Sequence, residues 1–332
     1  MTRATVTLQR ARVGRDERAE MAAEVREGML GSRPPSIPSK FFYDDRGSAL
    51  FEEITRLPEY YQTRTEEKIL ESIAGEVVAR VRPSELVELG SGASRKVRIL
   101  LDAMAAARRL GGCVLFDINE ADVRSSASLL AEAYPGVEIR GIVGDFTADL
   151  GPLGSGGGRL LAFLGSTIGN LHPREVPPFL RRVASVLEPG DGFLLGLDLV
   201  KDVDRLEAAY DDAAGVTARF NRNILLALND RLEADFDPAA FDHVSFYDRE
   251  NAWIEMRLRA NRAMRVRVPT AGLDMRFEPG DEIRTEISCK YTRTSLEGML
   301  AGTCLRLDAW YTDPEELFAV ALLARVSAAG AS

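Results

Sequence analysis

The sequence predicts an α/β protein with a mostly parallel sheet covered by helices, carrying a second domain assembled from two separate stretches of chain. Three observations predict this. Short apolar runs alternate with helical patterns between residues 86 and 198. The first of these runs ends in a Gly-Ser-Gly turn that leads into a basic helix start, LVELGSGASRK, residues 86–96. After Leu199 the alternation stops, and strand-like pieces separated by turn signals take over.

From Thr63 to Val81 the apolar residues Ile69, Leu70, Ile73, Val77 and Val81 recur at helical spacing, and Thr63 with Glu66 has the spacing of a capping box. Strands are expected at 86–89, 113–117, 137–143, 159–165 and 193–198, with helices near 94–109, 119–132 and 173–187. DLGPLGSGGGR, between the third and fourth strands, is too rich in glycine for a helix and reads as a loose connection. Beyond Leu199 come a long helical region containing Gly215, the strand-like WIEMRLRA and RAMRVRV, and an EPGD turn. Residues 283–291 and 317–326 read as two final strands returning to the parallel sheet. The first sixty residues, with a short amphipathic helix (Met21, Val25, Met29) and the proline-rich GSRPPSIPSK, have no place in the βα series and pair with the insert. The expected domains are therefore 1–62 and 200–284 for substrate, and 63–199 with 285–332 for the α/β core.

Composition narrows the function. A chain of 332 residues, 45% of them hydrophobic, can build a sizeable core. A net charge of -9 opposes a non-specific grip on phosphate backbones, so no nucleic-acid partner is expected. Cys113, Cys289 and Cys304 are odd in number and far apart, which fits neither a disulfide framework nor a zinc site. No apolar run approaches the ~18 residues of a membrane span, and no leader pattern opens the chain, so no membrane partner and a cytoplasmic location are expected. His172 and His243, the two histidines, lie in no metal or triad spacing, which argues against a histidine base and against a metal.

The glycine turn brings backbone close to a ligand at a helix start. A dinucleotide fingerprint needs a third glycine, and Gly90-Ser91-Gly92-Ala93-Ser94 is followed by Arg95 in that place. Ligands of open α/β sheets lie at the carboxyl ends of the strands, so the acids there decide the cofactor. Asp117 ends the second strand, where a carboxylate can accept both hydroxyls of an adenosine ribose. Asp145 ends the third, where it can accept from an adenine amino group while Phe146 stacks on the base. A dinucleotide plan explains the first acid and not the second, and the pair favours S-adenosylmethionine, although aspartates at strand ends also cap the loops that follow. The fourth strand runs into AFLGSTIGNLHP, which sets Gly165, Ser166, Thr167, Gly169 and Asn170 where substrate would meet cofactor. A plain Ser/Asn turn before a helix started by Pro173 is the other reading.

KFFYDDRGSALFEEITRLPEYYQTRTE, VELGSGAS, GDFTADL, AFLGSTIGNLHP, DLVKDVDRLEAAYDDAAGVTARFN and RTEISCKY together resemble the histidine-specific Nα-methyltransferases of ergothioneine biosynthesis. The similarity runs from about residue 34 to the C-terminus and is weak in 1–30 and 292–309. It implies a class I methyltransferase fold, Rossmann-like, with a substrate domain, and three methyl transfers to the α-amine of L-histidine to give hercynine. It further implies that Gly90, Lys96, Asp117, Asp145 and Phe146 bind the cofactor. Tyr60, Asn170 and Tyr210 would hold the carboxylate and amine region of the amino acid, with Tyr43 and Gly165 near the reacting nitrogen. Glu286 and Ser288 would hydrogen-bond the imidazole, and Phe51 and Met256 would line the pocket. The residues agree with this independently in one place: Glu286 and Ser288 are two apart on a strand and share a face, while Ile287 and Cys289 point the other way. The rival readings are an N-methyltransferase for another amino acid or aromatic amine, and a non-catalytic S-adenosylmethionine-binding protein.

Overall fold

The computed structural model describes residues 5–11, 16–90, 92, 95–154 and 156–326; Ser91, Ala93 and Ser94 of the glycine turn lie outside the described residues. The chain opens with β1 (Thr5–Arg10), α1 (Glu17–Gly31), α2 (Asp45–Ile54) and α3 (Tyr61–Val81). The alternating series follows: β2 (Glu85–Leu89), α4 (Arg95–Ala106), β3 (Gly112–Asp117), α5 (Glu120–Ala133), β4 (Glu138–Val143), β5 (Arg159–Phe163), α6 (Val176–Val186) and β6 (Gly192–Asp198). Then come α7 (Val203–Ala208), α8 (Val216–Leu232), β7 (Phe241–Asp248), β8 (Trp253–Ala260), β9 (Met264–Val268), β10 (Leu273–Phe277) and β11 (Glu282–Cys289). Finally α9 (Arg293–Leu300), β12 (Leu305–Thr312) and β13 (Phe318–Arg325) close the chain.

Two compact units result. The first comprises residues 1–13, 62–200 and 289–332, the second 14–61 and 201–288. The sheet of the first unit has the order β1-β4-β3-β2-β5-β6-β13-β12. β1 through β6 run parallel, and β13 lies antiparallel to both β6 and β12. Composition follows position. Central β5 (RLLAF) and β6 (GFLLGLD) are buried along their whole length because both faces are covered, whereas edge strand β12 (LRLDAWYT) mixes polar and apolar residues and is half-buried. Ile69, Leu70, Ile73 and Val77 of α3 join Leu86, Val97, Leu100, Leu115 and Leu194 in one core. The strand order reverses between β2 and β5, the place where such sheets bind ligands at their carboxyl ends.

The structure corrects several expectations. β1 is the edge strand of the large sheet, paired with β4, and so belongs with the α/β unit and not with the substrate domain. Residues 282–289 do not return to the parallel sheet: β11 joins β8 and β7 in a three-stranded sheet of the second unit, and the chain re-enters the first unit at Cys289. β13 does enter the large sheet, but antiparallel, because only a short turn separates it from β12 and a short turn cannot make a parallel crossover. That turn is held by the Asp313 carboxylate, which accepts from the backbone N–H of Leu317 and Phe318. The long helical region is two helices, broken where Gly215 adopts φ 67°. α3 begins at Tyr61, so Thr63 and Glu66 lie inside it and form no capping box.

A buried ion pair ties the first unit together where the chain returns. Lys290 Nζ lies 2.9 Å from Asp198 at the end of β6, with both side chains fully buried, and Gln62 Nε2 donates to the same carboxylate at 3.5 Å. Removing one partner of such a pair leaves a lone buried charge. Lys290→Met should lower the unfolding free energy by about 3–5 kcal/mol, and adding Asp198→Asn should recover about half of that loss. Urea denaturation of the three proteins measures it, and equal stabilities of the single and double variants would contradict it.

Candidate active site

In the first unit the residues converge on the carboxyl ends of β2, β3, β4 and β5. Gly90 leaves β2 with φ 77°, and its N–H donates to the Phe116 carbonyl at 2.8 Å, which carries the β2–β3 pairing one residue further. Asp117 faces that turn from the end of β3. Its Oδ1 accepts from the Asn119 N–H at 3.0 Å and its Oδ2 from the Gly92 N–H at 3.5 Å. Burial raises its pKa, and the backbone N–H groups of Asn119 and Gly92 oppose that rise by favouring the ionised form. Asp145 accepts from Thr147 N at 2.9 Å and Thr147 Oγ1 at 2.5 Å, so both strand-end acids also cap the loops after them. Phe146 is set edge-on against Phe116 and Phe163, with ring centroids 6.1 and 5.5 Å away.

The loop after β5 is the most constrained backbone of this region. Gly165 and Ser166 are consecutive left-handed residues, φ 74° and 56°. The Asp198 N–H donates to Ser166 Oγ at 2.9 Å, Thr167 Oγ1 donates to the Leu164 carbonyl at 2.8 Å, and the buried Tyr291 hydroxyl donates to the Ile168 carbonyl at 3.2 Å. Half-buried Asn170 ends the single 3-10 turn Thr167–Asn170 that these bonds hold.

In the second unit Tyr43, Phe51 and Tyr60 form one aromatic cluster with Phe220. Phe51 of α2 meets Tyr43 and Tyr60 edge-on at 5.8 and 6.0 Å, and Tyr43 in turn meets Phe220 of α8 at 5.9 Å. Phe51 therefore packs within an aromatic cluster. Tyr210 and Ser288 are joined hydroxyl to hydroxyl at 2.7 Å, in a buried position. Glu286 is half-buried on the same strand, β11, and Met256 is buried on neighbouring β8, its carbonyl accepting from Thr285 Oγ1 at 3.2 Å. On the opposite face of β11 Cys289 is buried and Ile287 only half-buried, so that face is partly core.

Three residues of this region carried no functional signal in the sequence. Glu66 was legible only as a helix-start acid. It is fully buried, binds Lys96 Nζ at 2.6 Å and receives the Gly165 N–H at 2.9 Å. Asn221, inside α8, donates to His243 Nδ1 at 2.8 Å and to the Arg257 carbonyl at 3.0 Å while accepting from Thr285 Oγ1 at 2.6 Å. His243 is left to donate from Nε2 to the Tyr210 carbonyl at 2.9 Å. Burial pushes its pKa down, against the opposing pull of the Tyr210 carbonyl and Asp211, and its two ring contacts hold the Tyr210 backbone. No local pattern signals these pairings, because the partners lie 22 to 99 residues apart in the chain. Among the described residues no group of acids, histidines and cysteines could hold a metal ion, and no helix is long and apolar enough to cross a membrane.

Residues 21–325 match the model of the family described as histidine-specific, S-adenosylmethionine-dependent methyltransferase, and the chain belongs to that family. It is 48% identical to the histidine N-alpha-methyltransferase of Mycolicibacterium smegmatis over 93% of this chain and 97% of that one. It is 47% identical to the protein of that name from Mycobacterium tuberculosis, over 89% of this chain and 92% of that one. Ergothioneine biosynthesis protein 1 of Schizosaccharomyces pombe is 33% identical over 76% of this chain and 34% of its own length.

If Asp117 accepts hydrogen bonds from the ribose, Asp117→Ala should weaken S-adenosylmethionine binding by about 1.5–3 kcal/mol, the worth of bonds to a charged acceptor. Calorimetric titration of parent and variant checks this, with NAD giving no heat in either. An affinity unchanged in the variant would remove Asp117 from the site.

Proposed function

We propose that this chain transfers three methyl groups in succession from S-adenosylmethionine to the α-amino nitrogen of L-histidine, giving hercynine, the first step of ergothioneine biosynthesis. The observation that carries the substrate assignment is the polar patch of β11: a carboxylate at Glu286 and, two residues on, the Ser288 hydroxyl bonded to Tyr210. An imidazole has two ring nitrogens, one donor and one acceptor when neutral, and a carboxylate plus a hydroxyl answers both. The two mycobacterial relatives named for histidine methylation support the same reading.

In this reading Gly90, Lys96, Asp117, Asp145 and Phe146 hold the cofactor, and Tyr60, Asn170 and Tyr210 fix the carboxylate and amine of histidine. Tyr43 and Gly165 stand beside the reacting nitrogen, while Phe51 and Met256 shape the wall around the ring. S-adenosylmethionine supplies an electrophilic methyl on a sulfonium, and the displacement needs nitrogen, carbon and sulfur in line. The protein's work is then alignment and exclusion of water. Each of the first two transfers leaves a protonated amine that must lose its proton before the next, and the third leaves a quaternary ammonium with no proton to lose. His243 is fixed between Asn221 and the Tyr210 carbonyl. The side chains of the site therefore position the amine, main-chain carbonyls accept from it, and water takes the proton.

A pocket that hydrogen-bonds a polar ring rejects analogues that leave its buried groups unpaired. Histidine should be methylated far faster than phenylalanine or leucine, and Glu286→Ala should lose about 1.5–3 kcal/mol in kcat/KM for histidine with cofactor affinity intact. Competitive turnover of an amino-acid mixture by parent and variant reads this directly. A variant that keeps the parental preference for histidine would sink the assignment of the imidazole to Glu286, and a parent that prefers another amine would favour the broader N-methyltransferase reading.

A further inference from the structure

Glu66 occupies a position that no reading of the cofactor or substrate site requires, yet everything around it is built to receive its carboxylate. Its side chain is fully buried and carries one of the shortest ion pairs of the first unit, 2.6 Å to Lys96 Nζ. Both carboxylate oxygens lie 2.9 Å from the Gly165 N–H. On β6, a side chain at Gly196 would bring its Cβ to 1.9 Å from Glu66 Oε1, so the absence of a side chain there makes the space the carboxylate fills. Lys96 is also the group nearest to a Cβ built on Gly165, at 3.2 Å, which places its ammonium against the left-handed loop after β5.

From these contacts we infer that Glu66 is a positioning residue: it pins the Lys96 ammonium and the Gly165 peptide in one electrically neutral cradle, so that a cationic methyl donor does not face an unpaired ammonium. The inference rests on the family's use of S-adenosylmethionine and adds a role for a residue outside the cofactor contacts. Glu88, the other buried carboxyl that Lys96 influences, is pushed well above the usual carboxylate range by burial, and Asp117 and Glu66 push it in the same direction. Glu66, in direct contact, is therefore the anion that balances the lysine. The donor carries a positive sulfonium and its spent form, S-adenosylhomocysteine, a neutral thioether; the two otherwise present the same groups. An unbalanced charge at Lys96 must separate them, whereas a general loosening of the fold must weaken both alike.

The experiment measures dissociation constants of both forms, by calorimetry, for the parent, Glu66→Gln, Glu66→Asp and Lys96→Met, with circular dichroism to confirm folding. Glu66→Gln should weaken S-adenosylmethionine at least about tenfold more than S-adenosylhomocysteine, the size of one charge felt over about 12 Å at an effective dielectric near ~20. Glu66→Asp keeps the charge and should keep the parental ratio even if both affinities fall. Lys96→Met leaves the carboxylate unbalanced and should move the ratio the other way, toward the sulfonium, and this arm decides the matter if Glu66→Gln does not fold. Parental ratios in both Glu66→Gln and Lys96→Met would overturn the inference. A parent that binds neither form would instead overturn the cofactor reading on which it stands.

Discussion

The backbone between Leu164 and Leu171 can take its shape only because other parts of the first unit hold it there. Two left-handed residues in a row are unfavourable for an L-amino acid chain, and Ser166 lacks even glycine's freedom; its share of the strain is about 1–2 kcal/mol. The compensating bonds come from three places distant in sequence, Glu66 on α3, Asp198 at the end of β6 and Tyr291 after β11, and from Thr167 within the loop itself. The result is a rigid turn at the strand-order reversal that presents Gly165 and Asn170 in fixed positions. A reaction that depends on alignment and needs no covalent help has its requirements met by such a turn.

The same logic explains why this protein buries charge. Glu66 with Lys96 and Asp198 with Lys290 are pairs whose desolvation is offset by short contacts and by the hydrogen bonds their carboxylates receive from Gly165 and Gln62. The first pair reaches the loop after β5 through its carboxylate, which receives the Gly165 N–H, whereas Asp198 meets that loop through its backbone, whose N–H donates to Ser166. Hydrophobic replacements could give comparable stability but could not orient a peptide group. In the second unit neutral groups do this work: Asn221 fixes the His243 tautomer, and His243 then holds the Tyr210 carbonyl. Tyr210 is thereby fixed at its backbone by one contact and at its hydroxyl by Ser288.

Much of this was legible in the sequence, and the reasons are physical. The βα series could be read because parallel strands covered on both faces are continuous apolar runs, and the five strands from β2 to β6 lie within two residues of their expected limits. Gly90, Asp117, Asp145 and Asn170 could be placed because strand ends in such sheets face the ligand crevice. Strands β1 and β12 escaped because edge strands alternate polar and apolar residues weakly, and β11 was sent to the wrong sheet because a strand's pattern does not name its partner. Glu66 shows the deepest limit. Its local spacing fits a helix start, and its burial is created by Lys96, Gly165 and Gly196, thirty to more than a hundred residues away.

The most direct measurement follows the fate of the methyl groups. Purified protein incubated with L-histidine and S-adenosylmethionine labelled in its methyl should convert histidine to a product carrying three labelled methyls, all on the α-nitrogen, with the imidazole unmodified, as read by mass spectrometry with fragmentation. Label on a ring nitrogen, or no labelled histidine from protein that binds the cofactor normally, would contradict the assignment of the α-amine as the group these residues align.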